Sequence, residues 1–196
     1  MKERGIKWVF IGGVDNVILK MADVTLLGMA IDKHVQIASK SVVKANPHEK
    51  VGVFCKMNGH PKVIEYSELP EKMAEEVDNN GELKYGESHI MCNLFTIDAI
   101  EKVSKEPLIY HYAIKKNSYL DEDGKEVIPL EPNSYKFEAF IFDAFEFFDD
   151  IAILRGKRED DFAPVKNKEG VDSPKTAKES YEKFWERNKN VLVNAS

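Results

Sequence analysis

The chain has 196 residues, 43% of them hydrophobic and 32% charged, which is enough to bury one substantial core and too apolar for a disordered chain. Its 28 Lys and Arg against 34 Asp and Glu leave a formal charge of −6 at pH 7, which argues against a general nucleic-acid binder. No apolar run approaches the ~20 residues of a membrane span, the N-terminus lacks the apolar stretch of a signal peptide, and two cysteines, Cys55 and Cys92, are too few for a disulfide scaffold or a zinc site; a soluble, reduced, cytoplasmic protein is expected, with neither nucleic acid nor membrane as partner.

Trp8 to Ile11 is a short apolar run ended by Gly12-Gly13 and predicts a buried strand opening into the loop Val14-Asp15-Asn16. Leu26, Leu27, Ala30 and Ile31 recur at helical spacing, which predicts a helix from about Asp23 to His34. Ile37 to Lys44 and Val51 to Met57 alternate apolar and polar residues as strands do, and Asn58-Gly59 before Lys62-Val63-Ile64-Glu65-Tyr66 signals a hairpin. An acidic helix from Glu68 to Asp78 is expected to stop at Asn79-Asn80-Gly81. Residues 82–93 mix strand and turn signals and stay unassigned. Thr96 reads as the cap of a helix that ends before Pro107, and Asp121 to Lys125 as a second hairpin tip.

After Asn133 the spacing of Phe137, Phe140, Ile141, Phe145 and Phe148 predicts a deeply packed aromatic helix. Ile151 to Leu154 predicts a last buried strand, and Ser173 to about Asn190 a helix with Tyr181, Phe184 and Trp185 on its apolar side. Strands and helices interleave with inserted hairpins and without an internal repeat or Gly/Ser linker. That pattern predicts an α/β fold with a mixed sheet, in one domain over residues 1–196.

Asp15 and Asn16 fall just past the carboxyl end of a predicted strand, where open α/β sheets bind ligands. A carboxylate there suits Mg²⁺ held against a phosphate; an Asx-turn that only shapes the loop is the alternative, and spacing alone favours it. Glu65 interrupts an apolar strand and suits ligand hydroxyls or water equally well. Lys166, in Phe162-Ala163-Pro164-Val165-Lys166-Asn167, is either a phosphate point charge or a solvated loop lysine. None of the five histidines pairs with another histidine or a cysteine at ligand spacing, and both cysteines read as buried packing residues. The chain contains no phosphate-binding P-loop, nucleophile elbow or dinucleotide fingerprint.

Several stretches together resemble the carboxyl-terminal half of the UDP-sugar pyrophosphorylase family, in particular its eukaryotic UDP-N-acetylglucosamine type. In family order they are Gly13-Val14-Asp15-Asn16, Asn46-Pro47 with Val51-Gly52-Val53, and Val63-Ile64-Glu65-Tyr66-Ser67-Glu68. Pro132-Asn133 with Lys136 and Phe140-Ile141-Phe142-Asp143 follow, and Arg158 to Asn167 closes the set. The resemblance implies a Rossmann-like nucleotidyltransferase fold and the reaction of UTP with N-acetylglucosamine 1-phosphate, with Mg²⁺, to give UDP-N-acetylglucosamine and pyrophosphate. It implies that Asp15 is a catalytic and metal carboxylate, that Lys166 is a catalytic phosphate-binding lysine, and that Gly52, Glu65 and Phe140 contact the sugar.

Two departures stand out. The family's Gly-Asn-Ile, whose asparagine binds sugar, reads Ser88-His89-Ile90 here, so His89 becomes the implied sugar contact and the choice of sugar stays open, with UDP-glucose or another UDP-sugar as the alternative. The family's glycine-rich triphosphate loop is absent, so the chain reads as half of an enzyme, inactive without an amino-terminal half supplied separately. A non-catalytic sugar-nucleotide binding fragment that associates with itself or with a partner is the alternative from a different class.

Overall fold

In the computed structural model, which describes residues 1–193, one turn of 3-10 helix (Lys2–Arg4) leads into strand β1 (Trp8–Gly12), helix α1 (Val24–Asp32) and strand β2 (Ile37–Val43). Asp23 caps α1, its Oδ1 accepting from the amides of Thr25 and Leu26 at 2.9 and 3.1 Å. Strands β3 (Val53–Met57) and β4 (His60–Ile64) join at Asn58-Gly59, whose φ values of 53° and 88° are those of a type I′ turn. Then come α2 (Glu71–Ala74), β5 (Glu87–Thr96) and α3 (Ile97–Val103), which Thr96 caps through the amide of Ala99 at 3.1 Å.

Strand β6 (His111–Lys115) pairs with β9 (Ser134–Glu138), enclosing the small hairpin β7 (Tyr119–Leu120) and β8 (Glu126–Val127). A second 3-10 helix (Ile141–Phe147), β10 (Ala152–Arg155), α4 (Arg158–Asp161) and α5 (Pro174–Val193) complete the described chain.

Strand β5 is the centre of a six-stranded sheet. On one side it pairs antiparallel with β2 (Ile37 opposite Phe95), and on the other with β1 (Trp8 opposite Thr96) and β3 (Val53 opposite Ser88). β4 lies outside β3, and β10 runs parallel to β2 at the far edge, so the sheet is mixed, as expected. Each face buries an apolar cluster. Leu26 and Ala30 of α1 cover Ala38, Val42, Ile90, Cys92 and Leu94. On the opposite face, Ile37, Phe54, Val63 and Phe95 pack against Ala99 and Val103 of α3 and against Phe142, Phe145 and Phe148. Cys92 is wholly buried as expected, but Cys55 is only half-buried.

Covering both faces changes the meaning of the alternation in β2. Its polar positions are buried too, and two of them, Ser39 and Lys40, carry internal partners, whereas the Ser41 hydroxyl has none among the described residues. Ser39 Oγ donates to Asn93 Oδ1 at 2.7 Å, and Lys40 Nζ sits between carboxylates of Asp23 and Asp161 at 2.5 and 2.6 Å.

Three expectations are corrected. The acidic helix shrinks to α2, because Pro70 starts it and the segment beyond folds back: Val77 bridges to Leu83, and Asp78 Oδ1 holds the amides of Asn80 and Glu82 at 2.8 and 3.1 Å. The aromatic helix divides into strand β9 and the 3-10 helix. Tyr135 and Phe137 alternate with Ser134, Lys136 and Glu138, so a period of two governs the first half, and Phe137 faces outward instead of packing deeply. In α5 the aromatic side is largely open: Tyr181 and Trp185 are exposed, and only half-buried Phe184 meets a cation, Lys20 Nζ, at 5.6 Å from its ring centre.

Candidate active site

A cleft of about 510 Å³ opens at the end of β1 and is lined by Asp15, Gly52, Glu65, His89, Phe140 and Lys166, with Lys50, Tyr66, Phe162 and Asn167 beside them. All six residues singled out in the sequence therefore meet in one place, from segments far apart in the chain.

The loop after β1 is aimed by Asn16. Its buried side chain donates from Nδ2 to the carbonyl of Asp161 at 2.7 Å and accepts the amide of Ala163 at 2.9 Å. The Asx-type contact in this loop, Oδ1 to the Ile18 amide at 3.4 Å, also belongs to Asn16. Asp15 is left to turn its half-buried carboxylate to the cleft, and among the described residues no group donates a hydrogen bond to it. The Asp15 carbonyl accepts the Val165 amide at 3.0 Å, so the acid loop and the lysine loop are stitched side by side. Lys166 follows in an exposed position, its Nζ donating to the carbonyl of Lys50 at 3.2 Å and lying 5.6 Å from the Phe162 ring centre. Among the described residues no group of three or more His, Cys, Asp or Glu side chains could hold a metal. A lone carboxylate still fits Mg²⁺, which commonly takes one or two carboxylates and completes its shell with phosphate oxygens and water.

Gly52 and Glu65 form one wall. A Cβ on Gly52 would meet Val63 Cγ1 at 2.8 Å and Glu65 Oε1 at 3.1 Å, so the glycine leaves the space that the carboxylate occupies. Burial and the nearby charge of Glu68 push the Glu65 carboxyl above its ordinary range, while His111 and Lys166 pull it back. Among the described residues it, too, receives no hydrogen bond. Phe140 also lines the cleft, its ring stacked on Phe142 with centres 4.8 Å apart and planes 11° from parallel.

His89 lies at the floor, only 7% exposed. It is boxed edge-on by Phe54, Phe142 and Phe145, and burial pushes its imidazole down to about 4, against the smaller upward pull of the Asn93 contact. A neutral ring donates from Nε2 to Asn93 Oδ1 at 3.0 Å. In this orientation of the amide the Ser39 hydroxyl also donates to that oxygen, and the amide nitrogen points at Met91 Sδ at 3.6 Å. Only Nδ1 of His89 remains for a ligand, as an acceptor.

Asn93 was missed in the sequence for a physical reason. Residues four apart on a regular strand lie too far apart to touch, but β5 carries a bulge where Met91 takes a φ of 51° and the register to β2 slips. The bulge closes the His89–Asn93 gap. His111 and Asp143 were also missed. His111 Nε2 meets Asp143 Oδ2 at 2.9 Å, its Nδ1 meets Glu68 Oε1 at 2.6 Å, and its ring centre lies 5.0 Å from that of Phe140. Asp143 is part of a quoted motif, but its partner is 32 positions away.

The family described as UTP–glucose-1-phosphate uridylyltransferase matches residues 1–173. The human UDP-N-acetylhexosamine pyrophosphorylase-like protein 1 is 39% identical over 185 residues, covering 92% of this chain and 36% of the relative. The UDP-N-acetylglucosamine pyrophosphorylase of Saccharomyces cerevisiae is 38% identical over 201 residues, covering 97% of this chain and 42% of the relative. The crystal structure of the uridine diphosphate N-acetylglucosamine pyrophosphorylase from Trypanosoma brucei, in complex with inhibitor, superimposes with a TM-score of 0.77 at 33% identity over 91% of this chain and 35% of that one. The chain thus spans well under half the length of these relatives, and it shares their nucleotidyltransferase-like α/β fold.

Proposed function

Because the chain belongs to the UTP–glucose-1-phosphate uridylyltransferase family, we propose that it carries the sugar-phosphate side of a uridylyl transfer in which N-acetylhexosamine 1-phosphate attacks UTP, giving UDP-N-acetylhexosamine and pyrophosphate. The observation that carries this reading is the convergence of Asp15, Gly52, Glu65, Phe140 and Lys166 on one cleft. The choice of an N-acetylated sugar over glucose follows the names of the relatives at 38–39% identity.

Each residue has a job that its chemistry suits. Glu65, lacking an internal donor, accepts hydrogen bonds from sugar hydroxyls. The Phe140 face packs on the apolar face of the sugar ring, and Gly52 lets the ring approach the backbone. Nδ1 of His89 accepts from a hydroxyl or amide at the floor. Lys166 gives up its weak contact with the Lys50 carbonyl and donates to a phosphate oxygen as a charge-assisted hydrogen bond. Asp15 is the residue that would hold Mg²⁺, and the ion, when bound, supplies charge neutralisation at the phosphates. A phosphate oxygen of the sugar phosphate attacks the α-phosphorus of UTP, and the bond from that phosphorus to pyrophosphate breaks. The protein contributes positioning and charge stabilisation, with no covalent intermediate on a side chain.

The chain has no glycine-rich loop to cradle a triphosphate, so it is expected to bind sugar phosphate or UDP-sugar without releasing pyrophosphate from UTP by itself. The test is calorimetric titration with UDP-N-acetylglucosamine, N-acetylglucosamine 1-phosphate and glucose 1-phosphate, alongside a pyrophosphate-release assay with and without the amino-terminal portion of a longer relative. Binding of the N-acetylated ligands, with release only after that addition, supports the proposal. Absence of binding to all three ligands overturns it. Binding with no release in either assay favours a non-catalytic module.

A further inference from the structure

Glu65 and Phe140, which both line the cleft, each begin a tight turn. The Glu65 carbonyl accepts the amide of Glu68 at 2.9 Å, and the Phe140 carbonyl accepts the amide of Asp143 at 3.1 Å. The side chains at the far ends of these turns are both gripped by one residue from a third segment: His111 of β6 touches Glu68 through Nδ1 and Asp143 through Nε2. We propose that His111 is a positioning residue of this site, a charged clasp that bridges the two turns and sets the separation of Glu65 and Phe140. The proposal rests on the sugar-phosphate reading only for what the cleft binds; the clasp itself is a property of the free protein.

A ring nitrogen facing a carboxylate oxygen makes a hydrogen bond only if a proton lies between them, so holding both carboxylates favours the doubly protonated imidazolium. The surroundings point the same way. Glu65 and Glu68 face His111 from the turn after β4, and Asp143 faces it from the 3-10 helix. Glu138 is its register partner on β9 and is paired with Lys136 at 2.8 Å. Two further cations act on these acids: Lys62, bound to Glu146 at 3.0 Å, on Asp143, and Lys166 on Glu65.

Burial opposes protonation of the ring, and the hydrogen bonds to Glu68 and Asp143 overcome it, so the imidazole is raised above its ordinary value. Asp143 needs that charge, since it is 2% exposed and its Oδ1 has no hydrogen-bond partner. A group raised in the folded protein contributes stability that is present below its unfolded value, near 6.5, and lost as pH rises through the folded one. Deprotonation therefore releases the clasp as pH rises through a midpoint above the ordinary histidine value. It also removes the positive charge that pulls Glu65 down.

The tests are nitrogen NMR of the His111 ring, carboxyl-carbon NMR of Glu65 across pH, and calorimetry with N-acetylglucosamine 1-phosphate, on the unmodified chain and on His111→Gln. Glutamine can donate to one carboxylate but carries no charge. Expected are two protonated ring nitrogens in most molecules at pH 6.5, the ordinary histidine midpoint, an upward shift of the Glu65 midpoint in His111→Gln, and roughly tenfold weaker binding, about 1.4 kcal/mol. Affinity of the unmodified chain should fall as pH rises through the His111 midpoint, and that of His111→Gln should lack this step. An unchanged Glu65 midpoint overturns the clasp whatever the ligand does. A shifted midpoint in a chain that binds no sugar phosphate upholds the clasp and refutes the binding reading. If His111→Gln fails to fold, Glu68→Gln serves instead. It removes the half-exposed arm and should lower the His111 midpoint; an unmoved midpoint is again fatal to the clasp.

Discussion

Replacing Asn16 by alanine should damage the fold and the cleft together. Its side chain occupies the junction between the loop after β1 and the segment that leads to Lys166, and it is 5% exposed. The substitution removes the bond from Nδ2 to the Asp161 carbonyl at 2.7 Å and leaves the Ala163 amide, now accepted at 2.9 Å, without a partner. A buried group left unsatisfied costs about 1–3 kcal/mol. The third contact, to the Ile18 amide at 3.4 Å, is long and adds little. The two good contacts together give a loss of about 2–4 kcal/mol, allowing for some relaxation toward water. In a chain of this size that lowers Tm by about 4–16 °C. Asn16→Asp keeps the acceptor for Ala163 but sets a carboxylate against the Asp161 carbonyl, so it should be no milder. Thermal melts followed by circular dichroism give the stability, and calorimetry with a sugar phosphate at a temperature where both proteins are folded gives the site. The expected result is a lowered Tm and weakened binding, because the Asp15 and Lys166 loops lose their common anchor. A Tm within 1 °C of the parent, about 0.3–0.5 kcal/mol, would refute the account of Asn16 as the anchor.

Lys166→Ala should weaken binding of a UDP-sugar or sugar phosphate about 10- to 150-fold, since a hydrogen bond between charged groups contributes roughly 1.5–3 kcal/mol. Lys168→Ala, two exposed residues on, should change it little, and equal effects in calorimetry would withdraw the role of Lys166. Gly52→Ala places a Cβ 2.8 Å from Val63 and 3.1 Å from Glu65; overpacking of this kind costs about 1–3 kcal/mol, and displacement of Glu65 should reduce ligand affinity more than Tm. A variant with unchanged affinity would show that the space over Gly52 is not used. His89 is held down to about 4 by burial. The unfolded chain therefore binds a proton that the folded chain refuses, and stability should fall as pH drops from about 6.5 toward that value. His89→Gln should flatten this slope in denaturant titrations at a series of pH values, and an equal slope in both proteins would contradict the buried neutral ring.

Local chemistry was legible from the residues alone. Asn58-Gly59 announced its hairpin because both positions must take positive φ, and Thr96 announced a helix start because its oxygen reaches an amide three residues on. The run of motifs from Gly13 to Asn167 placed the chain in its family and named the cleft residues, which, apart from Gly52, carry their chemistry in their own side chains. Features held by partners distant in the chain were not legible. The aromatic stretch from Phe137 to Phe148 satisfies helical spacing, yet pairing with β6 imposes a period of two on its first half. Residues 82–93 show no clean pattern because the central strand they enter is covered on both sides, bulges at Met91, and buries Ser88, His89 and Asn93. His89 meets Asn93 only through that bulge, and His111 reaches Glu68 and Asp143 across 43 and 32 positions. Spacing reports the period of one helix or strand; burial of polar groups is decided by which segments the packed sheet brings opposite one another, and only the tertiary structure contains that information.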